Sequence, residues 1–238
     1  MGRAFEFRKA RKMKRWSNMA KTFTRIGREI IIAVKDSGPD PSTNSKLRAI
    51  IQNAKAANMP KDNIERAIKN ASEKSTEDFK EILLEGYGPH GIAILVEAAT
   101  DNNNRTVANV RAIFNKCEGN FGTSGSVVFM FDHTCNFTVK KEDISIDMEE
   151  LELELIDFDV EEVFDDEEGV IIYAPFEQFG AIQSFFEKEN VEIISSGFER
   201  IPTSTTKLSP EQQADVEKLL EKLEEDDDVQ NVYHSLEM

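Results

Sequence analysis

Apolar residues in the first third of the chain recur at helical spacing. At about 100° per residue from Lys21, Phe23, Ile26, Ile30 and Val34 fall between about 140° and 220°, so Lys21–Lys35 reads as a helix with one apolar face. Asp36-Ser-Gly-Pro-Asp-Pro41 stops it. A second helix follows, from about Ser42–Asn44 to Asn58, with Leu47, Ile50, Ile51, Ala54 and Ala57 on its inner face. Pro60 suits the first position of a third, whose stripe is Ile64, Ala67, Ile68 and Ala71. Each is too short to stand alone, so the three are expected to pack as a bundle.

Beyond a polar linker, Ala71–Asp78, the period shortens to that of strands. Phe79–Tyr87 and Ile92–Thr100 read as a hairpin, followed by a helix at Arg105–Lys116 and a strand at Val127–Phe131. From Cys135 the expected order is a strand (Asn136–Lys140), an acidic helix (Met148–Ile156), two strands (Val160–Phe164 and Gly169–Tyr173), a helix (Phe176–Glu189) and a strand (Val191–Phe198). That order, βαββαβ, is ferredoxin-like. A helix from Ser209 to Glu224 and a strand at Val229–Ser235 close the chain. The middle ββαβ run lacks partners that the last helix and strand would supply. The expected fold is α+β in three domains: a basic three-helix bundle (21–77, after an arm at 1–20), a discontinuous α/β domain (78–134 and 203–238), and an inserted ferredoxin-like domain (135–202).

Charge adds a direction to this layout. Residues 1–75 hold 18 Lys and Arg and 7 Asp and Glu, whereas the remainder hold 11 and 38, a split of +11 against −27 that the net −16 conceals. A basic head on an acidic body points to a polyanion partner met in a fixed orientation. Arg8, Lys9, Arg11, Lys12, Lys14 and Arg15 crowd the arm, with Phe5, Phe7 and Trp16 interleaved for stacking. In the first helix Arg25, Arg28 and Lys35 lie within about 40° of Lys21, opposite the apolar face. Arg48 and Lys55 share a face of the second helix, and Lys61, Arg66 and Lys69 are expected to be exposed on the third. These fifteen side chains are the expected nucleic-acid contacts.

Other chemistry is sparse. Cys117 and Cys135 have no metal-ligand spacing, and His90, His133 and His234 are scattered, so neither cofactor, metal site nor catalytic constellation is expected. The Gly-rich run 119–126 lacks a P-loop ending and precedes a strand, which favours a structural turn. The acidic runs Glu149–Glu154, Asp165–Glu168 and Glu224–Asp228 read as solvated faces and turns. Arg105 is expected to pair with a nearby carboxylate or carbonyl and fix its loop. With no apolar run of about 18 residues, no membrane span is expected. Glu6 and the scarcity of Ser argue against a targeting peptide, which leaves the cytoplasm; no small-molecule substrate is evident and the oligomeric state is open.

Several stretches resemble the YebC family of regulatory proteins, which includes the mitochondrial translational activator of cytochrome oxidase. They are Phe23-Thr24 through Glu29-Ile30, Asn58-Met-Pro-Lys-Asp-Asn-Ile-Glu-Arg-Ala-Ile68, Glu85-Gly-Tyr-Gly-Pro89, Thr100-Asp101 with Asn104-Arg-Thr106, and Gly119-Asn120 with Gly122 to Val127. The resemblance implies three domains and a non-enzymatic cytoplasmic regulator of gene expression. Its expected partner is DNA, in transcription, or alternatively ribosomal RNA at the ribosome, in translation. The family commonly begins Gly-His-Ser-Lys-Trp, whereas this chain reads Gly2-Arg-Ala-Phe-Glu6 and places its Trp at 16, so contacts of the arm are not carried over.

Overall fold

The computed structural model describes residues 19–72, 78–144, 146–167 and 169–237. The chain forms two compact units, each assembled from two segments: residues 1–74 with 133–201, and 75–132 with 202–238.

The first unit opens with helices α1 (Met19–Ser37), α2 (Ser45–Ala56) and α3 (Lys61–Ser72). Ile26, Ile30, Val34, Leu47, Ile50, Ala54 and Ile64 form their common core, as the helical phasing requires. Asn44 locks the first turn of the bundle. Its side chain accepts from the Leu47 N–H at 2.9 Å and donates to the Ala33 and Gly38 carbonyls at 2.8 Å, so one buried amide both starts α2 and ties it to the end of α1. The Asn58-Met59-Pro60 stretch ends α2 in a Schellman motif. Asn58 takes a left-handed φ of 58°, Met59 N donates to Ala54 O and Asn58 N to Lys55 O, and the Met59 side chain plugs the core. Pro60 sits one residue before α3, its carbonyl accepting from the Asn63 and Ile64 N–H groups, rather than at the first helical position.

The rest of this unit is a four-stranded sheet ordered β5-β6-β4-β7, the ferredoxin-like order. Its elements are β4 (Phe131–Val139), α5 (Met148–Glu154), β5 (Glu162–Asp166), β6 (Gly169–Pro175), α6 (Phe179–Lys188) and β7 (Ile193–Pro202). Alternate residues Cys135, Phe137 and Val139 of β4 and Val170, Ile172 and Ala174 of β6 face α5 and α6 through Leu151, Leu155, Ile182 and Phe186. β7 is an edge strand. At its middle the Asn53 side chain of α2 mimics a neighbouring strand, accepting from Ser196 N at 2.9 Å and donating to Ser196 O at 2.5 Å. That pairing covers part of an edge that would otherwise offer free backbone groups.

The second unit is a sheet ordered β3-β1-β2-β8. It comprises β1 (Lys80–Tyr87), β2 (Ala93–Thr100), α4 (Asn103–Lys116), β3 (Asn120–Phe121), α7 (Pro210–Glu225) and β8 (Val229–His234). Strands β1 and β2 pair antiparallel from Lys80 opposite Thr100 to Tyr87 opposite Ala93, and β8 adds to β2. Gly86 is required here, because a Cβ would lie 2.8 Å from the Asn120 carbonyl of paired β3. Ile94 and Val96 face Val110 and Phe114 of α4 and Val216, Leu219, Leu220 and Leu223 of α7. Ala93 and Leu95 face the other way, onto Val127, Phe131 and Tyr233. β2 is thus buried on both faces, which explains its nearly unbroken apolar run.

The strand expected at Val127–Phe131 is instead a 3-10 turn over Val128–Met130, and the strand that follows runs unbroken from Phe131 to Val139. The reason is a lack of donors: the N–H groups of Val127 and Val128 go to the Glu85 carboxylate and that of Met130 to Val127 O, so none of these is left for a ladder.

Replacing Asn53 by Ala removes both bonds to Ser196 and is expected to cost about 1–2 kcal/mol in chemical denaturation. Hydrogen exchange at the Ser196 amide should accelerate; unchanged protection there would show that Asn53 does not cover the edge.

Candidate nucleic-acid interface

The arm residues Arg8, Lys9, Arg11, Lys12, Lys14 and Arg15 lie outside the described residues. The nine remaining cations sit on α1–α3 in two groups. Lys35, Lys55, Lys61, Arg66 and Lys69 are exposed, whereas Lys21, Arg25, Arg28 and Arg48 are half-buried. Lys61 makes one loose i,i+4 pair with Glu65 at 3.5 Å between exposed side chains, worth a few tenths of a kcal/mol. Lys21, Arg25, Arg28 and Lys35 each have an interaction within the protein. Arg48 is committed inward: its Nε meets Glu187 Oε1 at 2.9 Å and a terminal N–H donates to the Pro41 carbonyl at 2.7 Å. It holds α2 against α6 and is not one of the exposed cations.

The Gly-rich run is a turn wrapped around a buried carboxylate. Glu85, 4% exposed, accepts from the backbone N–H groups of Gly125 (2.6 Å), Val127 (2.7 Å) and Val128 (2.8 Å), while its own carbonyl accepts from Gly122 N. Burial would raise the Glu85 pKa, but the N–H donors of Val127, Gly125, Val128 and Ser126 outweigh it and lower the pKa from its ordinary value. The donors that could cradle a phosphate are therefore already filled by the protein's own anion. The turn also directs Phe129 outward, 72% exposed. Read as a strand, 127–131 would place Phe129 on the same side as Val127 and Phe131; only the turn separates them.

A second buried carboxylate corrects the reading of Glu224–Asp228 as a solvated turn. Asp228 is 3% exposed and accepts from Thr106 Oγ1 at 2.7 Å, Arg105 at 2.9 Å and Thr100 Oγ1 at 3.3 Å. Arg105 also reaches Asp101 at 2.8 Å, and Asn102 caps α4 by accepting from Arg105 N. The Asp228 bond, then the Asp101 bond, raises the Arg105 pKa. Arg105 thus fixes its loop, and the Thr100–Thr106 stretch serves to fasten the entry of β8 to the start of α4.

Cys117 and Cys135 pack in the apolar cores, and His133 lies against Phe176 and Phe198. Cys117 and Cys135 are buried free thiols, and burial pushes Cys135 up to about 12. Burial, and then Arg200, lowers His133 to about 4, and its ring stacks on Phe176 at 4.0 Å. Among the described residues no group of three or more His, Cys, Asp or Glu is placed to hold a metal ion, and no helix is long and apolar enough to cross a membrane.

Two family models cover most of the chain. Residues 3–74 match the TACO1/YebC protein N-terminal domain, and residues 79–236 match the TACO1/YebC second and third domain. The chain belongs to the TACO1/YebC family. A probable transcriptional regulatory protein of Flavobacterium johnsoniae is 70% identical over 236 residues, covering 99% of both chains. One of Parabacteroides distasonis is 59% identical, over 99% of this chain and 97% of that protein. Among solved structures, a conserved hypothetical protein of Aquifex aeolicus is 40% identical with a TM-score of 0.76, over 93% of this chain and 91% of that one. The stretches that carried the TACO1/YebC resemblance now have physical roles: Asn58-Met-Pro ends a helix, Glu85 organises the Gly-rich turn, and Thr100–Thr106 binds Asp228.

Because the folded Glu85 pKa is lowered, its contribution is fully present above the unfolded glutamate value and fades as pH falls through the folded one. Glu85→Gln is therefore expected to cost about 2–3 kcal/mol in urea unfolding at pH 7, with the gap to the native chain closing toward pH 3. A gap that does not depend on pH would show that the charge is not what holds the turn.

Proposed function

We propose that this protein is a non-enzymatic regulator of gene expression that acts in the cytoplasm by docking its basic head on nucleic acid. The observation that carries this reading is the segregation of charge, +11 over residues 1–75 against −27 over the rest, on a fold whose head presents exposed cations on the outer faces of a packed bundle. The names of the relatives, probable transcriptional regulatory proteins, favour DNA as the partner. The contacts are assigned to Lys21, Arg25, Arg28 and Lys35 on α1, to Lys55 on α2, to Lys61, Arg66 and Lys69 on α3, and to the six cations of the arm. Arg48 is left out of the set because its guanidinium is spent on Glu187 and Pro41. Ribosomal RNA is the second reading, and one observation favours it: α2 commits Arg48 and Asn53 to its own unit, so that face of the helix is not available to enter a major groove.

The remaining residues, at about −27 in formal charge, disfavour a polyanion, so contact is made through the head.

Arg25 and Arg28 are half-buried and engaged, so reversing them would mix binding with stability. Lys55, Arg66 and Lys69 are exposed and make the cleaner test. The triple variant Lys55→Glu, Arg66→Glu, Lys69→Glu is expected to stay folded and to bind a duplex DNA fragment or isolated ribosomes more weakly. The slope of log affinity against log salt should flatten by about 0.7–0.9 for each phosphate that is no longer neutralised. Comparing promoter-fragment binding with ribosome co-sedimentation under the same salt titration separates DNA from RNA. An unchanged slope on both would overturn docking through the bundle.

A further inference from the structure

Along α5 and its C-cap runs the sequence Leu151-Glu-Leu-Glu-Leu155. Alternation of that kind puts three leucines on one face of a strand. On a helix, at about 100° per residue, it turns Leu153 roughly 160° away from Leu151 and Leu155. Those two are 2% and 0% exposed and pack against the sheet of their unit, whereas Leu153 is 68% exposed. Ile156 follows three positions on, in the 3-10 turn Ile156–Phe158 that continues the helix, and is 65% exposed. The pair stands on an anchored segment. Asp147 caps α5, accepting from Glu150 N at 2.9 Å, and Leu155, which ends the helix and begins the turn, lies in the core.

The surroundings narrow what this pair can meet. Glu149, Glu150, Glu152, Glu154 and Asp157 are exposed, and none has a Lys, Arg or His partner among the described residues. The cations just before them in the chain are engaged, Lys140 with Glu142 and Glu192, and Lys141 with Asp165. Residues 142–187 then hold 17 Asp and Glu and no Lys, Arg or His. Other carboxylates of the protein do find cations, as Glu187 does with Arg48 and Asp215 with His90. A face with this charge repels nucleic acid and an anionic lipid surface. It also repels itself, because a two-fold contact between copies sets the same carboxylates against each other. An occupant must therefore bring positive charge to the rim and apolar groups to the centre. Two side chains offer far less than the roughly 800 Å² per partner of a standard protein interface, so the match is a short segment rather than a folded surface.

We infer that Leu153 and Ile156 form a docking site for a cationic amphipathic helix of another protein, with Glu152 and Asp157 meeting its Lys or Arg side chains. The apolar pair receives the apolar stripe of the incoming helix and fixes its register, while the carboxylates speed encounter. Because α5 is already folded and anchored, the cost of ordering falls on the incoming segment alone. The site lies beyond the nucleic-acid reading and does not depend on it.

The test uses the full chain and a fluorescently labelled peptide of about 15 residues, Leu on one helical face and Lys on the other, near the lower length limit of a helix. A second peptide of the same charge carries Ser in place of every Leu. In fluorescence anisotropy the native chain is expected to prefer the Leu peptide. Leu153→Ser with Ile156→Ser is expected to weaken that binding about 10- to 50-fold, to the level of the Ser peptide, without lowering the thermal unfolding midpoint, since both side chains are exposed. Glu152→Lys with Asp157→Lys should weaken it by a similar factor at low salt, with the difference shrinking toward about 1 M salt as charges are screened. Undiminished affinity of the Leu153 and Ile156 variant for the Leu peptide overturns the inference. Equal binding of the two peptides by the native chain also overturns it, because the face is then an acidic surface that holds any cation. Sedimentation equilibrium supplies the remaining outcome: a native dimer abolished by Leu153→Ser with Ile156→Ser assigns the pair to a second copy of this chain and overturns a separate partner.

Discussion

A carboxylate removed from water must be given donors, and the second unit is arranged around how Glu85 obtains them. Its oxygens gather the N–H groups of Gly125, Val127 and Val128. Those bonds stop the segment from becoming a strand, seat Val127 and Phe131 against the outer face of β2, and leave Phe129 facing solvent. The turn is built from Gly and Ser for the same reason. Gly125 takes a φ of 85°, and a Cβ at Gly122 would collide with the Ser126 side chain, so bulkier residues could not bring this many N–H groups onto one carboxylate. Isolated, such a buried charge would be expensive; with its hydrogen bonds made, it specifies one conformation of the turn.

Asp228 performs a parallel task at the other end of the same sheet. The chain leaves this unit near Asp132 and returns at Pro202, so β8 must find β2 after a long excursion. Thr100, Arg105 and Thr106 supply the donors that receive Asp228 just before β8 begins. In the first unit two neutral amides do this work beside the Arg48–Glu187 ion pair. Asn44 joins α1 to α2, and Asn53 joins α2 to the edge of β7. Asp228 and Asn53 meet groups more than a hundred positions away in the chain, while Lys55, two positions from Asn53 on α2, is exposed. The bundle can therefore present cations on one side while another side is committed to the sheet.

The helices were legible because their information is local. Phe23, Ile26, Ile30 and Val34 fall on one side at about 100° per residue, and the stripe of Lys21, Arg25, Arg28 and Lys35 on the other side follows from the same geometry. The ferredoxin-like order of strands and helices was legible for a similar reason, since alternation and turn residues fix element type. Burial was less so. Phasing placed Arg25 and Arg28 away from the core, yet they are half-buried, and Arg48 is drawn to Glu187, which is 139 residues away. The strand read at Val127–Phe131 failed because a residue 42 positions earlier takes the Val127 N–H. Asp228 looked like one acid in a solvated run because nothing local distinguishes it from Asp226 and Asp227.

By itself the sequence determined where the charge lies, which segments coil and which extend, and which faces are apolar, because those properties depend on residues within a few turns of each other. The tertiary structure decided which charges are drawn into contacts within the protein and which stay exposed. It decided that Glu85, Arg48 and Asp228 are fasteners and that Phe129 is presented outward, because a hydrogen bond or ion pair between residues roughly 40 to 140 positions apart leaves no trace in either local pattern.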